Sequence, residues 1–253
     1  MAGDKPKVFA SVKLAWSDVF RVINDMPAVM WAALILGLAY ALVDIVLLHG
    51  MGRVPSSLGG LLAEDAAGAV WAFFLTPLYL AIHRYIILGE VTSGYTLAFE
   101  QPRFQRFFLC LMAIYALSQV PSLLRLFGHG GLMIAATFIL TIISVFVSIR
   151  LIVLFPAVAV DAPGASFRNA FDDTRSCFWR IFGILIVSML PVLVAAAGVV
   201  ISLGPLSAAG RLIEAVVNML AMALAIAIAS RLYLGLSDSL GRPGPGAVEI
   251  GAT

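Results

Sequence analysis

The stretch IFGILIVSMLPVLVAAAGVVISL, residues 181–203, decides the fold of this chain, because its 23 residues include no Asp, Glu, Lys or Arg. A helix needs roughly 20 apolar residues to cross the hydrocarbon layer of a bilayer, where backbone groups can bond only to one another. Five further stretches resemble it in length and hydropathy. We therefore predict transmembrane helices over residues 27–48, 66–88, 107–124, 132–156, 181–203 and 212–236.

The composition of the chain agrees with a membrane protein. Hydrophobic residues make up 62% of the 253 positions and charged residues 12%, against roughly 45–50% and 25% in soluble domains. A soluble domain of this length cannot hide so much apolar surface. The net charge is only +2, and the basic residues are spread along the chain, so the charge pattern does not indicate a nucleic-acid partner. The predicted fold class is all-α, an integral membrane bundle of about six helices.

The distribution of basic residues predicts the orientation of the bundle. With the N-terminus inside, 13 of the 16 Lys and Arg residues fall on the cytoplasmic face, and Arg53, Arg125 and Arg211 fall outside. Lys and Arg resist translocation, so we expect both termini in the cytoplasm. The apolar run that begins at residue 27 is too long and too late for a cleaved signal peptide, and it should be the first span.

Two cytoplasmic segments are predicted to form amphipathic interfacial helices. In residues 1–26, apolar side chains that include Val8 and Trp16 recur at helical spacing, and polar side chains that include Asp18 take the opposite face. Residues 166–178 show a similar pattern, and we expect both helices to lie flat at the membrane surface. The predicted domains are a cytoplasmic segment over residues 1–26, a transmembrane domain over 27–238 and a disordered, Gly- and Pro-rich tail over 239–253.

A weak internal repeat relates these parts. Residues 11–18, SVKLAWSD, align with residues 166–173, SFRNAFDD, and each stretch precedes an odd-numbered span. Residues 92–104 occupy the corresponding place before the third span. One interpretation is three units, each an interfacial segment followed by a helical hairpin. The other is chance similarity between apolar segments.

Three arginines near the cytoplasmic ends of the even-numbered spans form the first candidate site: Arg84, Arg150 and Arg231. Each is followed by several apolar residues, so each should lie inside the headgroup boundary, where an arginine needs an anionic partner. At one depth around a bundle axis, the three could hold phospholipid phosphates or an anionic solute through bidentate contacts. The alternative is that they extend to the interface and only fix the orientation.

A second candidate site consists of polar residues within the spans. Asp44 lies inside the first apolar run, and either reaches the outer interface or forms a proton or cation site. Thr137, Thr141 and Ser144 share one helical face, which could line a path or form a helix contact.

Motifs of catalysis are missing from the sequence. It contains no HExxH, GxSxG or P-loop pattern, and Cys110 and Cys177 support neither a disulfide framework nor a zinc site. We therefore expect no enzyme activity, cofactor or metal.

The stretch RLIVLFPAVAVD, residues 150–161, followed by Ser166, Thr174-Arg175 and Trp179-Arg180, resembles a motif of bacterial multipass proteins of the YciC type. The motif is also similar to the membrane domain fused to some glycerophosphodiester phosphodiesterases. The resemblance implies a bacterial inner-membrane protein of about six helices without an assigned activity. It also implies that Pro156 bends the chain where it leaves the bilayer, that Asp161 ends the apolar run and that Ser166 caps the surface helix. The phosphodiesterase chemistry belongs to a separate soluble barrel and is not carried over.

Two functions remain open at the level of the sequence. The first is a non-enzymatic protein of the inner (plasma) membrane that binds anionic phospholipid or serves as an accessory or scaffold subunit, with a membrane-protein partner or a second copy of itself. The second is a small transporter or permease for an anionic or amphipathic solute. A transporter should expose polar residues at mid-membrane depth, and this sequence offers few, which favours the first function.

Overall fold

The protein is all-helical in the part of the chain that its computed structural model describes, residues 8–43, 45–46, 58–124, 130–204 and 207–241. These residues contain no strand, and the predicted fold class is confirmed. The helices are α1 (Val8–Asp25), α2 (Pro27–Val43), α3 (Leu58–Leu88), α4 (Pro102–Leu124), α5 (Gly131–Arg150), α6 (Leu154–Ala159), α7 (Phe167–Thr174), α8 (Phe178–Leu203) and α9 (Ala208–Leu236).

Five of these helices, α3, α4, α5, α8 and α9, are long and apolar enough to cross a membrane. A sixth crossing is added if α1 and α2, which meet at an angle of 97°, count as one broken span. Compared with the predicted spans, α3 begins eight residues earlier and α4 five residues earlier. The chain is therefore a multipass membrane protein.

Helix α9 lies at the centre of the bundle. It packs against α1, α2, α3 and α8, and its C-terminal half, from Ala223 to Tyr233, is almost entirely buried. The short helix α6 is buried as well, between α3, α4 and α9. Small side chains such as Ala227 and Ala157 allow these helices to approach closely, as is usual where membrane helices pack on one another.

The fourth span ends earlier than predicted. Helix α5 stops at Arg150, a turn follows over residues 151–153, and Pro156 lies in the first turn of α6 rather than at the end of the span. A proline removes the hydrogen bond to the carbonyl four residues earlier and its ring clashes with that carbonyl, so Pro156 weakens a continuation of α5 through residue 152. The hydropathy of the sequence did not reveal this break, because α6 is as apolar as a membrane span although its side chains pack inside the protein.

We predicted that the polar face of the first helix points to water, and the structure of α1 differs from this prediction. Ala15, Val19 and Val22 are buried, α1 packs on α8 and α9, and Asp18, expected on the exposed face, is only 3% exposed. Phe9 is 80% exposed instead. A buried carboxylate is tolerated when a cation faces it, and α9 supplies that cation.

The beginning of the predicted disordered tail is held in place. The Asp173 carboxylate accepts hydrogen bonds from the backbone N–H groups of Ser239 and Leu240, at 2.8 and 3.0 Å. Leu240 is fully buried, and its carbonyl accepts a bond from Gly164 N–H. The tail prediction was therefore wrong for residues 239–241, and residues 242–253 lie outside the described part of the chain.

Candidate anion-binding groove between α5 and α8

Arg84, near the C-terminal end of α3, is bound by the protein itself. Its Nε and Nη2 atoms donate to the two oxygens of the Glu90 carboxylate, at 2.6 and 2.5 Å, and Nη1 donates to the Ala159 carbonyl at 3.1 Å. Gly89, with φ of +73°, makes the turn that brings Glu90 back to Arg84. The charge of Arg84 is therefore balanced without a ligand.

Arg231, near the C-terminal end of α9, is bound in the same manner. Its Nε and Nη2 atoms donate to the two oxygens of the buried Asp18 carboxylate, at 2.5 and 2.6 Å. This bidentate geometry is the strongest form of an arginine–carboxylate contact. It joins α9 to α1 and satisfies the charge of Arg231.

Arg150, at the end of α5, differs from the other two because its partners are neutral. Its Nε donates to the Thr174 hydroxyl at 2.9 Å and its Nη2 donates to the Phe171 carbonyl. The guanidinium also lies over the rings of Phe171 and Phe146, at 5.1 and 5.8 Å from their centroids. No carboxylate of the described residues lies within 4.0 Å of it. The three predicted arginines thus have separate partners, and only Arg150 keeps an uncompensated charge.

Arg150 lines a groove between α5 and α8, here called the α5–α8 groove, with a volume of about 900 Å³. Two further arginines line the same groove, Arg175 from the turn after α7 and Arg180 from the first turn of α8. The remainder of the wall is largely apolar and aromatic: Ile142, Val145, Phe146, Ile149, Phe178, Trp179 and Phe182. The groove therefore joins a cationic end to an apolar slot.

The sequence between α7 and α8 places these arginines. Ser166 caps α7 by accepting a hydrogen bond from Asn169 N–H at 3.2 Å. Helix α7 ends at Thr174, a three-residue turn follows, and α8 begins at Phe178. Arg175 therefore begins this turn and Arg180 lies just after it in α8, and both are next to the end of α5.

The electrostatics of the α5–α8 groove favour an anion. No carboxylate lines it, and Arg175 lies close enough for its charge to oppose that of Arg150, while Asp172 attracts Arg150 from outside the groove. The Nη1 atom of Arg180 is closed off from solvent and has no hydrogen-bond partner in the described part of the chain. A buried N–H without an acceptor is unfavourable, but a ligand would reach this atom only after the side chain moved, so the attraction for an anion comes from the charges that line the groove.

The other predicted polar residues have different roles. Thr141 donates to the Thr137 carbonyl at 2.8 Å within α5, and its side chain lines the α5–α8 groove. Ser144 is buried and donates to the Leu117 carbonyl of α4 at 3.1 Å, which is a helix contact. Asp44 lies outside the described residues.

The motif residues Pro156 and Asp161 do not line the groove. Asp161 has a positive φ of 50° and accepts a hydrogen bond from Arg103 Nε at 2.6 Å. Pro156 is buried in α6. Asp161 thus connects α4 to the loop before α7.

A second cavity, here called the α2–α3–α9 cavity, has a volume of about 390 Å³ and was not predicted. Its polar lining consists of Tyr40, Trp71, Tyr79, Arg211, Glu214 and Asn218. The sequence carried a signal for it, because Arg211, Glu214 and Asn218 recur at helical spacing on one face of α9. In the described residues, no group of three or more metal-ligating side chains is present.

Comparisons with protein families, with curated proteins and with solved structures found no match to this chain.

Proposed function

We propose that this protein is a non-enzymatic multipass membrane protein that binds an anionic phospholipid in the α5–α8 groove. The observation that supports this proposal is the meeting of Arg150, Arg175 and Arg180 at one end of an apolar slot that contains no carboxylate. A phospholipid phosphate carries acceptor oxygens and negative charge, and guanidinium groups bind it through paired hydrogen bonds. Its acyl chain has the chemistry of the aromatic wall.

The location of the groove relates the proposal to the membrane. The groove lies at the ends of α5 and α8 that we assign to the cytoplasmic side, with both protein termini in the cytoplasm. The exposed Trp179 is the type of residue that anchors a helix end at the lipid headgroups. We propose the bacterial inner membrane, in line with the resemblance to the YciC type, and an accessory or scaffold role in which bound lipid orders the α5–α8 side of the bundle for a membrane-protein partner or a second copy.

Native mass spectrometry of detergent-purified protein tests the proposal. The wild type is compared with the triple variant Arg150→Ala/Arg175→Ala/Arg180→Ala after incubation with phosphatidylglycerol or phosphatidylethanolamine. We expect the wild type to retain phosphatidylglycerol and the triple variant to lose at least about tenfold in affinity, since a charge-assisted contact contributes roughly 1.5–3 kcal/mol.

A matched control removes three charges elsewhere. Arg21, Arg106 and Arg168 are exposed, and we expect Arg21→Ala/Arg106→Ala/Arg168→Ala to retain phosphatidylglycerol as the wild type does. Equal lipid loss in both triple variants would show that total charge, and not the groove, retains the lipid, and the proposal would be wrong.

A transporter or permease for an anionic or amphipathic solute is the second candidate function. The observation that favours it is the α2–α3–α9 cavity, whose polar lining is the kind that a transporter presents within the membrane. Purified protein in liposomes, tested for solute flux with and without Glu214→Gln in this cavity, distinguishes the two functions. Flux that this substitution abolishes would contradict the scaffold role.

A further inference from the structure

The N-terminal end of α8 opens into the α5–α8 groove. The consecutive residues from Arg175 to Arg180 all line the groove, and α8 begins within this run at Phe178. An α-helix leaves the N–H groups of its first turn without partners inside the helix, and its aligned peptide dipoles make that end positive. The groove therefore receives the positive end of a helix of 26 residues in addition to the charges of its arginines.

The start of α8 has no side-chain cap. Cys177 holds the N-cap position, where Ser, Thr, Asp or Asn would accept a hydrogen bond from the first turn, and its side chain accepts none. The hydroxyl of Ser176 lies 3.5 Å from the Cys177 sulfur instead. The backbone N–H groups of Phe178 and Trp179 make no hydrogen bond within the described part of the chain. These two donors are therefore available to an acceptor in the groove.

Arg150 presents a third set of donors from the opposite wall. Its Nε and Nη2 atoms donate to Thr174 and Phe171, and its guanidinium lies over the rings of Phe171 and Phe146. These contacts hold the planar group in one orientation. The Nη1 atom makes no hydrogen bond to the residues that the structure describes. Arg150 is thus oriented by its neutral partners and keeps one edge for a ligand.

The charges around the groove leave an excess of positive charge. Arg150, Arg175 and Arg180 line it, and Asp172 attracts Arg150 from outside. The Asp173 carboxylate is occupied by the backbone N–H groups of the segment after α9. Three arginines and one aspartate leave two positive charges, before the end of α8 is counted. A phosphate monoester carries about two negative charges at pH 7, whereas a phosphodiester carries one.

We propose that the α5–α8 groove selects a phosphate monoester attached to an apolar tail, which is the headgroup chemistry of phosphatidate. The three terminal oxygens of the monoester accept hydrogen bonds from Arg150, from Arg175 and from the first-turn N–H groups of α8. A phosphodiester has only two such oxygens and cannot serve all three sets of donors. The inference rests on the proposed function and deepens it, because it names the headgroup that the groove prefers.

Two sources supply a phosphate monoester, a lipid with a bare phosphate headgroup or a soluble phosphate ester. The apolar and aromatic wall of the groove, which includes Phe146, Phe178 and Phe182, favours the lipid. An acyl chain removes this wall from water, whereas a soluble ester of glycerol leaves it without contacts.

Three lipids with oleoyl chains test the preference by native mass spectrometry of the detergent-purified protein at about pH 7.5. Phosphatidylmethanol differs from phosphatidate by one methyl ester, which makes the headgroup a diester with a single charge. Cardiolipin carries two charges on two separate diesters. We expect phosphatidate to bind at least about tenfold more tightly than either of the other two, because only the monoester satisfies every set of donors.

The outcomes separate this inference from the proposed function. If phosphatidylmethanol binds as tightly as phosphatidate, a diester is sufficient and this inference is wrong, while lipid binding in the groove stands. If cardiolipin binds as tightly, the groove recognises charge and not the monoester, and the inference is wrong as well. If the wild type retains none of the three lipids, both the inference and the proposed function are wrong.

Two variants assign the preference to the groove. Arg175→Gln removes an exposed guanidinium, and we expect it to reduce the preference for phosphatidate over phosphatidylmethanol several-fold. The matched control is Arg168→Gln, which changes an exposed arginine of α7 outside the groove and should keep the preference of the wild type. Cys177→Asp supplies α8 with a carboxylate cap that takes the place of the phosphate, and the preference should disappear. A wild-type preference in both groove variants would overturn the assignment.

Thermal unfolding in detergent distinguishes the two sources, because a ligand stabilises the folded state in proportion to its occupancy. We expect phosphatidate to raise the melting temperature by several degrees and glycerol 3-phosphate to leave it unchanged, which would identify a lipid as the ligand. An equal rise with glycerol 3-phosphate would identify a soluble phosphate ester and support the shared chemistry. If neither compound raises the melting temperature, the inference is wrong.

Discussion

Arg231 and Asp18 are 213 positions apart in the sequence, and their two hydrogen bonds join the last helix to the first. Arg150 similarly binds the end of α7, and Arg84 binds Glu90 and α6. At the scale of single residues, each of these arginines thus links the end of a membrane helix to another segment of the chain. Arg150 differs from the other two because its hydrogen-bond partners are neutral, so its positive charge remains available to a ligand in the groove.

The Arg231–Asp18 pair should contribute strongly to stability. Asp18→Asn leaves Arg231 without its carboxylate in a site where the Asp18 side chain is 4% exposed and the Arg231 side chain 27% exposed. We expect a loss of about 3 kcal/mol in the free energy of unfolding, because breaking a buried ion pair leaves one charge uncompensated. Thermal unfolding in detergent measures it.

Two further variants define this prediction. Asp238→Asn changes an exposed carboxylate and should have little effect. The double variant Asp18→Leu/Arg231→Met removes both charges and should recover most of the stability. A double variant as unstable as Asp18→Asn would mean that packing of α1 on α9, and not charge, limits stability.

At the scale of elements, a close backbone contact holds the C-terminal end of α9 against the loop before α7. A Cβ atom on Gly164 would lie 2.4 Å from the Ser239 carbonyl oxygen and 2.8 Å from that of Leu240. Only glycine fits this approach. The same loop contributes the Gly164 N–H that bonds to Leu240.

Gly164→Ala should therefore release residues 239 and 240. We expect hydrogen exchange at these two amides to increase at least about tenfold, since overpacking against backbone costs roughly 1–3 kcal/mol. Gly94→Ala is the control, because a Cβ atom there would meet nothing within 4 Å. Unchanged exchange in Gly164→Ala would mean that the Asp173 contacts suffice to hold the segment.

A second close contact fixes the crossing of α3 and α4. A Cβ atom on Gly68 would lie 2.3 Å from the Tyr115 hydroxyl, and Gln119, which donates to Asp65 at 2.5 Å, also bonds to that hydroxyl. We expect Gly68→Ala to lower the melting temperature and Gly68→Ala/Tyr115→Ala to be no less stable than Tyr115→Ala alone. Additive losses in this double-mutant cycle would contradict a steric cause.

The elements show what the sequence could and could not predict. The lipid-facing helices followed from hydropathy, because the bilayer requires long apolar runs. The end of α5 could not be predicted from hydropathy, because α6, which follows it, is equally apolar but is buried in protein. The groove was missed because Arg175 and Arg180 meet Arg150 only through the packing of α7 and α8 beside α5, and because the carboxylate partner of Arg231 comes from α1, 213 positions away.

The proposed repeat can be examined at the same scale. The first and third units each place a helix, α1 or α7, before a hairpin, and Arg231 and Arg150 bind to these two helices. The segment before α4, residues 89–101, is not helical, and Tyr95 within it donates to the Phe74 carbonyl of α3 at 3.0 Å. The middle unit thus differs from the other two, in line with Pro102, which disfavours a helix over residues 92–104.

At the scale of the whole molecule, the proposed orientation is directly testable. Gly94 lies in the segment before α4 and Gly130 directly before α5, so α4 separates them, and both have open space around them. In a background with Cys110 and Cys177 replaced by alanine, we expect a membrane-impermeant maleimide to label Gly130→Cys in intact cells, and Gly94→Cys only after lysis. The reverse pattern would invert the bundle and place the α5–α8 groove in the outer leaflet.

Helix α6 is buried between α3, α4 and α9, and the turn at residues 151–153 joins it directly to Arg150 at the end of α5. A ligand bound to Arg150 is therefore only a few residues along the chain from a helix packed on three others. Occupancy of the α5–α8 groove would thus be transmitted to the interior of the bundle and not only to its lipid-facing surface.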